Sequence, residues 1–223
     1  MYELNSDSML KKDYLPDTLI QKRNEVMRYL ESRFPYQEII QDNRIVLLHK
    51  RIKLVQILAT EEDFRQYDTL NMKYLNYVNT HYCPNLHMVD FDRRVEFLDT
   101  IASNSDKLPF FFVYNSKGEI LGLCGFKTTK FFKDDNILAN ELSTRMITDV
   151  AQNSGIGYGA IAAFIAIFYA YSKHHEVYMS TAINNRDFVF HCTDKLGMRY
   201  IGVQTWKHDI FDTEMLADFF KSF

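Results

Sequence analysis

Gln152-Asn153-Ser154-Gly155-Ile156-Gly157-Tyr158-Gly159-Ala160 is the stretch whose reading decides the fold. A polar run gives way to three glycines at alternate positions, then to an apolar run from Ile161 to Tyr171. Glycine reaches positive φ and lets a ligand approach with no Cβ in the way. The first turn of a helix leaves its N–H groups unpaired and carries partial positive charge. A glycine turn that opens a buried helix is therefore a cradle for a pyrophosphate.

Three loop types use such a cradle. The P-loop needs a Lys after its glycines, and none follows here. The dinucleotide fingerprint G-x-G-x-x-[GA] is matched literally by Gly155, Gly157 and Ala160, but it needs a buried strand running into the first glycine. Asp149 to Ser154 is too polar for that strand. The acid Glu176 also precedes the strand Val177–Ile183, where the fingerprint wants one after it. The third pattern is Q/R-x-x-G-x-G/A, which Gln152, Gly155 and Gly157 fit. In this the stretch resembles the coenzyme A pyrophosphate loop of the GNAT acyltransferase superfamily. The order of elements extends the resemblance over about residues 50–207. Residues 139–148 read as a strand before the loop, and Glu176–Ile183 as a strand after the helix. Asn184 and Asn185 follow, then a short helix ending in Lys195-Leu196-Gly197-Met198.

The resemblance implies an α/β (α+β) chain with the GNAT fold, its mixed central sheet splayed at the coenzyme A site. It implies an N-terminal helical extension, 1–49, before an acyltransferase domain, 50–223. The implied reaction is acetyl transfer from acetyl-CoA to a primary amine on a small molecule or a protein, with no metal. The pyrophosphate would lie on the amides of Asn153, Ser154, Gly155, Ile156 and Gly157, with Gln152 before them and Tyr158 and Gly159 at the helix start. Backbone groups of Met146, Ile147 and Thr148 would hold the amide arm of the coenzyme, and Asn184 resembles the superfamily's Asn that also bonds this arm.

Direct transfer needs a base for the amine and a proton for the departing thiolate. Glu141 stands eleven positions before Gln152, as the base does in similar histone acetyltransferases. It is a carboxylate in an apolar strand, with Arg145 on the same face as a prospective partner. The superfamily's acidic Tyr falls here on Thr193 or Cys192. An alignment with the N-acyl amino acid synthase branch instead matches Asn184, Arg186 and Phe190 and puts His191 at the Tyr position. An imidazole can donate a proton there; Tyr178 is a lesser candidate. That branch joins long acyl chains from a carrier protein to amino acids, and Ala59–Asp63, Tyr77–Asn79 and Pro84-Asn85 also resemble it. The 18 Phe residues are as compatible with an acyl channel as with a core. The coenzyme loop favours acetyl-CoA, because a carrier protein brings no such pyrophosphate. A third reading, suggested by the missing Tyr, is a non-catalytic acyl-CoA sensor.

Bulk properties narrow the partners. A net charge of −3 gives no nucleic-acid footprint. Cys83, Cys124 and Cys192 form an odd, unpatterned set, as expected of reduced thiols in a cytoplasm. The longest apolar run, Ile156–Tyr171, is shorter than the ~20 residues of a membrane span. His81, Cys83 and His87 match no zinc spacing.

Elsewhere, Pro16–Phe34 carries an i, i+3/i+4 apolar face and reads as a helix that packs on the core or on a partner, a second copy included. Residues 44–48 carry pairing signals, and Leu54–Leu58 reads as the first core strand. Helices follow at about 61–78 and 91–102. Pro109–Tyr114, the turn Asn115–Gly118 and the return Glu119–Phe126 form a hairpin. Lys127–Asn136 reads as a loop, Tyr200–Trp206 as a strand and Phe211–Phe220 as an amphipathic helix.

Overall fold

Alternating apolar runs build one nine-stranded sheet, and two helical layers cover its faces. The computed structural model describes residues 17–81, 93–102, 108–130, 138–148, 157–182, 186–208 and 213–222. Its strands are β1 (Gln37–Gln41), β2 (Arg44–Leu48), β3 (Ile52–Gln56), β4 (Phe110–Asn115), β5 (Ile120–Lys130), β6 (Leu138–Met146), β7 (Tyr178–Ala182), β8 (Arg199–His208) and β9 (Thr213–Lys221). They lie in the order β1-β2-β3-β4-β5-β6-β7-β9-β8. Every pair is antiparallel except β6 and β7, which run parallel.

Two helices, α2 (Glu61–His81) and α3 (Arg93–Ala102), cover one face. Thr60 starts α2: its Oγ1 accepts from Asp63 N–H at 3.2 Å, and acids fill the first turn. Asp63 ties this start back to the sheet, accepting from Leu58 N–H at 2.6 Å and from Arg44 at 2.5 Å. Tyr67, Leu70, Phe97, Phe110, Phe112, Leu123 and Ile147 close this layer.

The other face holds α1 (Asp17–Arg33), α4 (Tyr158–Ser172) and α5 (Arg186–Phe190), which continues as a π-helical turn over His191–Lys195. The sequence of α4 is apolar all round, and such a helix needs cover on every side. The sheet supplies one side through Phe111, Cys124, Phe126 and Leu142. α1 supplies another through Val26 and Leu30, with Phe34 against Phe164 at 4.6 Å between ring centroids. The first helix thus packs on the core, while β1 and β2 lengthen the sheet beyond β3.

Several sequence expectations shift. The segment expected as a C-terminal helix is the strand β9, wedged between β7 and β8. Phe219 and Phe220 are both buried although neighbours in a strand point to opposite faces, so both faces are covered there and no one-sided pattern forms. The polar stretch expected as a loop from Lys127 begins as strand. β5 runs to Lys130 because its polar end pairs with the start of β6, from Lys127 opposite Glu141 to Lys130 opposite Leu138. The first core strand expected at Leu54–Leu58 sits two residues earlier, at Ile52–Gln56.

Leu30 is fully buried between α1 and the core. Leu30→Ala should cost about 2–5 kcal/mol, the range for a large-to-small change in a packed core. Urea unfolding checks this; an unchanged midpoint would mean that α1 is a loose arm.

Candidate functional site

The candidate site begins where two strands part. β6 and β7 pair only at Glu141–Tyr178 and Leu142–Met179, although β6 continues to Met146 and β7 to Ala182. On its other edge β6 stays in register with β5 as far as Gly122–Met146, and β7 stays with β9 as far as Ala182–Ala217. Each strand is held by its outer neighbour, so the gap between them is built into the sheet. Ile147 N–H donates to Leu121 C=O at 3.2 Å, and the Thr148 hydroxyl donates to the same oxygen at 3.3 Å. Backbone groups alternate in direction along an antiparallel ladder. With Ile147 turned to β5, Thr144 and Met146 direct their N–H and C=O toward the diverging β7. Of the trio Met146, Ile147 and Thr148, the amide of Ile147 is thus committed to β5.

The start of α4 closes over the same end of β6. A Cβ on Gly159 would lie 3.2 Å from Met146 Cγ and 3.9 Å from Thr144 Cγ2. The helix therefore begins against the strand at the parting, and a larger residue would push it away. Gly157 is the N-cap, left-handed at φ 69° and ψ 40°, with no side-chain cap. A Cβ there would meet nothing within 4 Å among the described residues. The backbone angle favours glycine, and the described residues leave the space above it open. Ile161 N–H donates to Gly157 C=O at 3.1 Å, which closes the first turn behind Tyr158. Gln152, Asn153, Ser154, Gly155, Ile156 and Asn184 lie outside the described residues.

Glu141 is 2% exposed and faces the α2/α3 layer, since its neighbour Leu142 points into the opposite core. Its Oε1 accepts from the Ser180 hydroxyl, and its Oε2 pairs with the Lys127 ammonium at 3.3 Å. The pairing with Arg145 expected from the strand pattern does not form. Arg145 instead reaches α2, where it donates to Asn71 Oδ1 and to the Tyr67 hydroxyl at 3.4 Å and stacks on Tyr74. Lys127, directly across the ladder from Glu141, is its cationic partner. A loop at Lys127, as its polar surroundings suggest, would not bring the two together; the β5–β6 ladder does.

His191 lies in the other layer. Its ring packs edge-on to Phe164 of α4, with centroids 5.8 Å apart. Its Nδ1 is buried with no hydrogen-bond partner among the described residues. The next residue, Cys192, touches Met179 at 4.0 Å, so the π-helical turn rests on the last residue of β7 paired with β6. The structure thus places Glu141 and His191 on opposite faces of the parting. Tyr178 shares the Glu141 face, but its hydroxyl donates to Glu176 at 3.5 Å and Lys221 lies over its ring. Thr193 donates back to Val189 C=O. Burial pushes the Cys192 thiol up to about 12. Among the described residues, no three His, Cys, Asp or Glu side chains gather as metal ligands, and no helix is long and apolar enough to cross a membrane.

Solved structures match this fold. One from Bordetella pertussis, described as a GnaT-family acetyltransferase, superposes with TM-score 0.54 at 17% identity, over 80% of this chain and 99% of its own. The fold is that of the GNAT acetyltransferases. A ribosomal-protein-alanine N-acetyltransferase from Brucella melitensis matches with TM-score 0.50 at 20% identity, over 73% of this chain and 94% of its own. The yncA protein of Salmonella typhimurium, solved with its cofactor acetyl-CoA, matches with TM-score 0.51 at 16% identity, over 76% and 92%. No protein-family model and no curated protein sequence matches the chain.

Burial also raises the Cys124 thiol to about 12. Only the thiolate attacks an alkylating agent, so both thiols should resist iodoacetamide at pH 8 in the folded protein and react in 6 M guanidinium. A Cys83→Ser chain isolates the two, and mass spectrometry counts the adducts. Labelling of the native form at the denatured rate would show that these cores are open.

Proposed function

We propose that the chain is an N-acetyltransferase that moves the acetyl group of acetyl-CoA directly to a primary amine, with Glu141 as general base and His191 as general acid. One observation carries the reading: β6 and β7 part immediately after Leu142–Met179, and the start of α4 sits over the gap through Gly159 and Met146. A strand edge with alternating donors and acceptors suits the two amides of a pantetheine arm. The N-terminus of a fifteen-residue helix suits a pyrophosphate, and no described residue fills the space above Gly157. Gln152 to Ile156 and Asn184 complete the cradle in this reading.

The two faces then divide the chemistry. The amine nitrogen attacks the thioester carbon from the α2/α3 side and loses a proton to Glu141. The C–S bond breaks, and the thiolate takes a proton from the ring of His191 on the α4/α5 side. Base and acid on opposite faces suit a reaction in which one group arrives as another leaves. Ser180 and Lys127 fix the Glu141 carboxylate at the mouth of the gap. The acceptor is an amine on a protein or a small molecule. One matched structure is named for modifying the N-terminal serine of ribosomal protein L7/L12, which supports a protein N-terminus among the candidates.

Glu141→Gln should lower kcat by about 10²–10³ on an accepted amine and leave coenzyme affinity within about twofold, since a base acts in the transition state and not in binding. Stopped turnover assays and calorimetry separate the two. Gly157→Asn keeps a residue that tolerates the left-handed region and fills the open space. It should weaken acetyl-CoA binding by about tenfold or more. Equal uptake of acetyl-CoA by this variant and the parent would remove the basis of the proposal.

A further inference from the structure

A second cavity lies beside the first turn of α4, on the side away from β7. It encloses about 330 Å³ between residues 32–34 at the end of α1, residues 49–51 in the β2–β3 turn, and Ile161. Arg33, Lys50 and Arg51 are exposed around it, and no ion pair among the described residues uses any of the three. Three cations around one cavity raise the local positive potential and draw anions to it. His49 adds a directed donor. Its Nδ1 accepts from Arg51 N–H at 3.3 Å, so the ring proton of the neutral imidazole sits on Nε2. That Nε2 is buried and has no partner among the described residues. Burial, Lys50 and Arg51 all lower the His49 pKa, which keeps the ring neutral and this tautomer in place. The cavity thus offers three cations and one unanswered N–H to an acceptor with several oxygens.

Its position names the occupant. Ile161 is four residues along α4 from Gly157, a rise of about 6 Å. The turn 49–51 and the start of α4 lie at the same end of the sheet, since β2 and β6 both end there. Coenzyme A carries its 5′-pyrophosphate and its 3′-phosphate on one ribose, so the two groups are a sugar apart. We infer that Arg33, His49, Lys50 and Arg51 bind the 3′-phosphate of coenzyme A, so that residues before the first core strand and in the turn leading to it select the phosphorylated coenzyme over its dephospho form. This rests on the coenzyme reading above. It adds that α1 and the β2–β3 hairpin belong to the binding site and are more than a buttress.

Calorimetry with coenzyme A and with 3′-dephospho-coenzyme A tests it. The parent protein should prefer coenzyme A by on the order of tenfold or more, as charge-assisted bonds to one phosphate allow. Lys50→Ala/Arg51→Ala, and separately Arg33→Ala, should weaken coenzyme A and leave dephospho-coenzyme A unchanged, so the ratio falls toward one. All three side chains are exposed, and melting curves check that the variants fold. Equal affinity of the parent for both ligands overturns the inference and leaves the coenzyme reading standing. The same holds if the variants lose both ligands equally. Failure of both ligands to bind the parent overturns the inference and the coenzyme reading together.

Discussion

Two neighbouring strands that stop sharing hydrogen bonds set the terms for the rest of this molecule. Strand backbone carries polar groups along both edges, and they demand partners. Where β6 and β7 separate past Leu142 and Met179, that demand is turned toward the gap. The gap does not close, because β5 holds one strand by a long antiparallel ladder and β9 holds the other. Closing it would require breaking a ladder. A defect in pairing therefore becomes a rigid slot with polar walls.

The helical layers make the slot asymmetric. On the α2/α3 face Glu141 and Lys127 form an ion pair, with Arg145 drawn off to Asn71 and Tyr67. On the α4/α5 face the surroundings are aromatic and aliphatic, with the His191 ring set into them. One side is charged and hydrogen-bonded, and the other is apolar. The aperture is lined at its end by the start of α4, whose partial positive charge falls off within its first turn. The basic rim formed by Arg33, Lys50 and Arg51 lies just where that field fades.

Much of this was legible in the residues. The glycine run, the apolar run after it and the Asn184–Met198 order carried the fold; of these, Gly157 takes the left-handed angle that glycine allows and the apolar run forms α4. The hairpin at Asn115–Gly118 was equally clear, since Asn115 Oδ1 accepts from the N–H groups of Lys117 and Glu119 within the turn itself. What escaped depended on distant partners. Lys127–Lys130 is strand only because β6 lies beside it, and polarity alone argues for a loop. The segment at Thr213–Lys221 is short, and its apolar residues suit a helix or a doubly covered strand alike. Arg145 and Glu141 share a strand face, so sequence spacing paired them; α2 and β5 supplied better partners to each. The basic cavity joins segments far apart in sequence, and no motif marks it.

The placement of β9 has a consequence for biosynthesis. Among the described residues β8 bonds in the sheet to β9 alone, and β7 has β9 on its outer edge. On a ribosome β7 and β8 emerge before the strand that must lie between them. The right-hand wall of the slot therefore cannot be completed while residues 213–221 remain in the exit tunnel. Until then the exposed edge of β7 is open to wrong pairing, a hazard for any sheet assembled late from non-local strands.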